Sequence, residues 1–310
     1  MYANDVRNVT TILVLLVTVF VGAALLAPLA WMAVAPNDPN GGIGLLKFLK
    51  THDDFHRYFS RCLLLLALIG LAVQCKFAGI RSWADVGWTA FSGNARQLGY
   101  GLLMGMASIV FIITLGILLG TREFTASHTL AEWSRHLGGA VGAAVAVAII
   151  EETLFRGMFF NLLRRDLSLM IAAVASSVIY SAVHFFNQRP AIHEVTWATG
   201  FTAFPEFLPD AASLPIWLPH FVNLTLAGLI LAGVFARTGN LYCAIGIHAG
   251  WILLIKTGDF MTQSTLTAAS PWWGDGRLMN GMGWIATPLL AAMAWFTLRR
   301  DDGEPEKPTA

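Results

Sequence analysis

Two adjacent carboxylates and an arginine, Glu151, Glu152 and Arg156, stand in a run that is otherwise as apolar as lipid; from Leu137 to Ile150 the chain carries no charge. An ionised carboxylate at the centre of a bilayer costs roughly 3 kcal/mol on insertion scales, so such residues usually face a protein interior and act there. On a helix Glu152 and Arg156 are i and i+4 with the acid N-terminal, the better orientation for an ion pair. Glu151 is turned about 100° away from Glu152. Arg156 can therefore hold one carboxylate and leave the other to chemistry. A buried structural ion pair with a spare acid is the bland alternative. It gives no reason why a second acid is tolerated.

His184 and His248 are the matching groups, each inside an apolar stretch of its own. A single intramembrane histidine is often only a hydrogen-bonded packing residue. Three apolar stretches that each contribute one ionisable group make that account weaker. The chemistry they suit is peptide-bond hydrolysis. A carboxylate takes a proton from water, while two imidazoles either bind a metal that activates the water or stabilise the oxyanion directly. Glu plus two His is also a common zinc ligand set with a position open for water. The His-Glu-x-x-His pattern of many zinc proteases is absent, as is Gly-x-Ser-x-Gly. Cys62, Cys75 and Cys243 lack CxxC spacing and read as small core residues.

The elements that must carry these groups are membrane helices. Of 310 residues 56% are hydrophobic and 13% charged, and the mean hydropathy is +0.61. Apolar stretches near the 20 or so residues needed to cross a bilayer recur. The sequence predicts an all-α transmembrane bundle of about eight spans: Val9–Ala35, Phe59–Ile80, Leu98–Gly120, Leu137 to about Arg165, Leu167–Phe186, Leu214–Ala236, Leu241–Ile255 and Leu278–Leu298. The first run is too long for the apolar core of a secretory signal, so it is read as a retained helix. His52, Asp53, Asp54 and His56 read as a solvated loop, and His128 and His136 as loop residues. Phe201, Phe204 and Phe207 recur every three residues, which suits a segment lying in the membrane surface. A thin excess of Lys and Arg on the side of the termini places both termini in the cytoplasm. A net charge of +1 gives no reason to expect a nucleic-acid partner.

The motifs resemble those of the CAAX-protease and bacteriocin-processing (Abi) family of intramembrane proteases. That family is marked by Glu-Glu-x-x-x-Arg, then Phe-x-x-x-His, then His-x-x-x-Asn or Asp. Glu151 to Arg156 matches the first, Tyr180 to His184 the second with Tyr in place of Phe, and His248 begins the third. The resemblance covers about residues 137–255. It implies Glu151 as general base, His184 and His248 as water- or metal-binding and oxyanion groups, and Glu152 and Arg156 as orienting groups. A divalent metal, zinc, on Glu151, His184 and His248 is one version, and a metal-free glutamate-activated water is the other. Ile252 stands where the family has Asn or Asp. Substitution by a neighbour such as Asn223, reduced activity, or a non-catalytic relative would each accommodate it.

The reading is therefore a membrane endopeptidase that cleaves a peptide or protein substrate, lipidated or not, in or beside the bilayer. Its N-terminal helices occupy residues 1–136, its catalytic core 137–255, and a loop, last helix and polar tail 256–310. Its rivals are a proton-relay transporter and a non-catalytic scaffold of the same fold.

Overall fold

The computed structural model describes residues 7–34, 55–125, 127–185, 192, 194–280 and 282–299. These residues fall into two compact units, one of 1–79 with 183–210 and one of 80–182 with 211–310. Helix dominates both, as the hydropathy predicts.

In the first unit α1 (Arg7–Val34) and α2 (Phe55–Phe77) pack along each other. Ala23, Ala24 and Ala27 present a smooth face to Phe55, Tyr58 and Phe59. Small residues allow this approach where lipid supplies no hydrophobic drive between helices. The phenylalanines read as a surface segment turn out otherwise. Phe204 to Phe207 forms a 3-10 turn, and Phe207 is wholly buried, its ring 5.1 Å from Phe59 and 5.3 Å from His56. Phe204 meets Phe20 edge-on. The three-residue period reflects a turn tucked under two helices, and of the three rings Phe201 is the more exposed. His56 also departs from its expected loop: it sits buried in the first turn of α2. Residues 52–54 lie outside the described residues.

The second unit holds α3 (Phe91–Leu118), α4 (Leu130–Glu152), most of α5 (Leu169–His184), α6 (Leu214–Thr238), α7 (Tyr242–Met261) and α8 (Thr287–Leu298). α4 opens with a capping box between Thr129 and Glu132, which satisfies two amide groups that the helix start would leave bare. His136 is therefore helical, not a loop residue; its ring stacks on Phe260, as does that of His128. α6 stops at Gly239, whose φ of +66° suits a residue without Cβ. Asn240 then accepts a hydrogen bond from the Tyr242 amide and starts α7.

The α3–α7 contact is the closest in the unit. Gly101 and Gly105 on α3 face Gly246 and Gly250 on α7. A Cβ on Gly250 would lie 2.6 Å from the Leu102 carbonyl oxygen, and one on Gly246 2.7 Å from the Leu102 nitrogen. Backbone meets backbone here, and His248 is carried between the two α7 glycines. Beyond the helix ends, β1 (Arg122–Phe124) pairs antiparallel with β2 (Thr262–Ser264). Arg122 locks this corner: it donates to Thr262, to the Gly276 carbonyl and to Asp259 at 3.1 Å.

Among the described residues five helices are long and apolar enough to cross a membrane: Asn8–Ala33, Phe55–Phe77, Phe91–Leu118, Leu130–Leu163 and Phe204–Thr238. Leu169–His184 and Gly283–Leu298 are shorter apolar helices. The last expected span begins later than its composition suggests, because Leu278–Asn280 and Gly283–Ala286 are 3-10 turns that precede α8.

Candidate active site

The acidic pair sits where α4 changes its winding. After Glu152 the chain continues as a π-helix from Thr153 to Phe160, then a last α-turn at Asn161–Leu163. Such insertions are uncommon and concentrate at functional sites. The 80–90 connection packs against this one. Trp88 donates its indole N–H to Thr153 Oγ1 at 3.1 Å, and Asn161 donates to the Asp85 carbonyl at 2.9 Å. A Cβ on Gly157 would fall 2.6 Å from the Val86 carbonyl oxygen. Beside these contacts Asp85 accepts the amides of Arg81 and Ser82. Its carboxyl is held below its ordinary range by the Ser82 amide first, then by that of Arg81.

Glu152 is fully buried. Its Oε1 accepts from Arg156 Nη1 at 3.0 Å, the ion pair that the i, i+4 spacing predicts, and from His248 Nδ1 at 2.7 Å. A carboxylate paired with a guanidinium only accepts, so Nδ1 is the nitrogen that donates to it, and Nε2 points the other way. Arg156 is itself buried and reaches the Gly228 carbonyl at 3.4 Å. Gly228 also lets α5 pack close, since a Cβ there would lie 2.7 Å from Ser177 Cβ.

His248 Nε2 faces Glu151 Oε2 at 3.9 Å. That is too long for a direct hydrogen bond and short enough for one small group to touch both. The Glu151 side chain retains 24% of its exposure against 0% for Glu152. Two neighbouring acids thus occupy different surroundings: Glu152 is sealed into an ion pair, while Glu151 is partly exposed with its Oε2 buried beside His248. Tyr180 closes the cluster: its buried ring lies under the Arg156 guanidinium at 4.7 Å.

The structure thus brings together Glu151, Glu152, Arg156 and His248. His184 ends α5, two residues past the segment assigned to the second unit, and belongs to the first. Asn223, weighed as a substitute for the missing Asn or Asp, is committed elsewhere: it donates to the Gly283 carbonyl and accepts from Thr287. Tyr180 is the member that sequence reading used only as a motif marker; its replacement of Phe was the available signal. Among the described residues no three His, Cys, Asp or Glu side chains stand together as a metal site. Glu151 and His248 supply two donors of the zinc set that the resemblance implies.

Residues 133–254 match the family model for type II CAAX prenyl endopeptidase Rce1-like proteins. No curated protein and no solved structure gives a match. The matched segment is similar to Rce1-like CAAX endopeptidases, in keeping with the family that the motifs resemble. The chain is an integral, multi-pass membrane protein, and the match supports intramembrane endopeptidase activity in general.

Proposed function

We propose that the protein hydrolyses a peptide bond with a water activated by Glu151, and that its substrates include prenylated peptides ending in a Cys-a-a-X tail. The observation that carries this reading is the clamp on His248: Glu152, held by Arg156, fixes Nδ1 and aims Nε2 at the more exposed Glu151. A water touching both Glu151 and Nε2 would be held for in-line attack. Glu151 takes its proton as the water oxygen bonds to the scissile carbonyl carbon, and returns the proton to the leaving amine. His248 holds the water or, once the ring is protonated, stabilises the oxyanion. Glu152 and Arg156 act through His248 by fixing its tautomer and ring plane.

His184 enters as a second imidazole on the resemblance alone. A zinc ion on Glu151, His184 and His248 would supply the same water activation; loss of cleavage on chelation with restoration by Zn²⁺ would establish it. The test of the function itself is cleavage of a fluorogenic farnesylated Cys-a-a-X peptide by the full chain in liposomes. Release of the tail, absent from empty liposomes, is expected. No cleavage of either the farnesylated peptide or its unmodified form would overturn the reading.

A further inference from the structure

We propose that Trp88 is a positioning residue for the reaction: its indole N–H, acting through the Thr153 hydroxyl, holds the end of α4 in the register that sets Glu151 opposite His248. The inference rests on the assignment of Glu151 above and deepens it. Thr153 follows the acidic pair directly and is the first residue of the π-helix. Its hydroxyl has one proton, which goes to the Ile149 carbonyl at 2.7 Å. The Trp88 N–H meets the same oxygen from the other side at 3.1 Å. The hydrogen-bond chain from Trp88 through Thr153 to Ile149 therefore brackets both acids. π-Helices are rare and mostly single turns. A run of eight residues has to be held from outside, and this contact falls where the change of winding begins.

The same connection grips the rest of the π-helix and the start of α7. At the far end Asn161 donates to the Asp85 carbonyl at 2.9 Å, and between the two contacts Val86 lies against Gly157. Toward α7 the Gly87 carbonyl accepts the Leu241 amide at 3.0 Å, and the Thr89 carbonyl accepts the Tyr242 hydroxyl at 2.6 Å. Residues 85–89 thus join the helix end that carries Glu151 and Glu152 to the helix that carries His248. The 3.9 Å between Glu151 Oε2 and His248 Nε2 exceeds a hydrogen bond, so it is set by how those two helices are held. Trp88 touches both sides, Thr153 by its N–H and Tyr242 by its ring, edge-on with centroids 5.8 Å apart. A slip of the acids by a fraction of an ångström would take Glu151 out of reach of a water held on Nε2.

The experiment measures kcat, KM and the thermal midpoint of wild type, Trp88→Phe, Thr153→Val, their double variant, Thr153→Ser and Glu151→Gln. Each is the full chain in liposomes with the farnesylated fluorogenic peptide, assayed well below its midpoint. Phenylalanine keeps a ring against Tyr242 and valine keeps the shape of threonine, so each removes one partner of the hydrogen bond. Both single variants are expected to lower kcat about fivefold with KM within about twofold. The double variant should be no slower than the slower single one, since both lose the same contact. Thr153→Ser keeps the hydroxyl and should restore the wild-type kcat. A kcat within about twofold of wild type in either single variant would overturn the proposal, even with a lowered midpoint, because the contact would then serve stability alone. A double variant about 25-fold slower would overturn it too, since the two residues would act separately. Should Trp88→Phe fail to fold, Thr153→Val against Thr153→Ser decides, and equal kcat values refute the role. Wild-type rates from Glu151→Gln would sink the base assignment instead. An inactive Glu151→Gln beside a fully active Trp88→Phe would refute the positioning role alone.

Discussion

Replacing Glu152 with glutamine should unfold the protein more readily than the same change at Glu151, although the two are neighbours and chemically identical. The Glu152 carboxylate is fully buried and receives two hydrogen bonds on one oxygen, from Arg156 at 3.0 Å and His248 at 2.7 Å. An amide there keeps an acceptor oxygen but removes the charge, and its NH2 competes for the same space. Arg156, nearly as buried, is left with the Gly228 carbonyl at 3.4 Å and the face of Tyr180. Breaking a buried pair from one side typically costs about 3–5 kcal/mol, because the remaining charge stays desolvated. The Glu151 side chain is partly exposed, at 24%, and its glutamine variant should stay within about 1 kcal/mol of wild type. The assay is urea or thermal unfolding in detergent, followed by the fluorescence of the protein's tryptophans. Equal stabilities for the two variants would refute the separation of roles, and a Glu152→Gln protein as stable as wild type would refute the ion-pair argument.

Three further outcomes follow from the packing. Gly246→Ala places a Cβ 2.7 Å from the Leu102 nitrogen; it should cost about 1–3 kcal/mol by overpacking and shift His248, so the unfolding midpoint and kcat should fall together. Arg122→Met removes the side-chain donors that tie β1 to Thr262, Gly276 and Asp259 and leaves a carboxylate without its cation. Limited proteolysis should then cut first between residues 262 and 278, with cleavage of the peptide substrate reduced less than stability. Asp85, held below the usual carboxylate range by the Ser82 and Arg81 amides, contributes stability that is complete above its unfolded value, near pH 4. That contribution is lost as pH falls through the lower folded value. Asp85→Asn should flatten this acid limb, read as the unfolding midpoint between pH 5 and 2; an unchanged limb would count against the assignment.

The acidic motif was legible because charge inside an apolar run is conspicuous, and the Glu152–Arg156 pairing followed from helical spacing. The helices were legible for the same reason, since hydropathy reports length and apolarity directly. What it could not report is which surfaces meet. Nothing near Gly246 or Gly250 says that Gly101 and Gly105 are their counterparts, because that match is made across more than 140 residues of chain. Asn223 looked available for the site while its partners, Gly283 and Thr287, lay some 60 residues away. The π-helical winding after Glu152 carries no periodic signature of its own, yet it decides how Glu151 and Arg156 are displayed. Phe207 misled because a three-residue period fits both an interfacial segment and a buried 3-10 turn. The greater burial of Glu152 over Glu151 came from packing that the spacing does not report.

The central claim is that Glu151 activates the water. Its most direct test is single-turnover cleavage of the farnesylated peptide by Glu151→Gln in liposomes, with thermal unfolding of the same preparation. The account predicts a wild-type unfolding midpoint with cleavage reduced by at least a thousandfold. Cleavage at a wild-type rate by that folded variant would contradict it, and the catalytic base would have to be sought elsewhere in the chain.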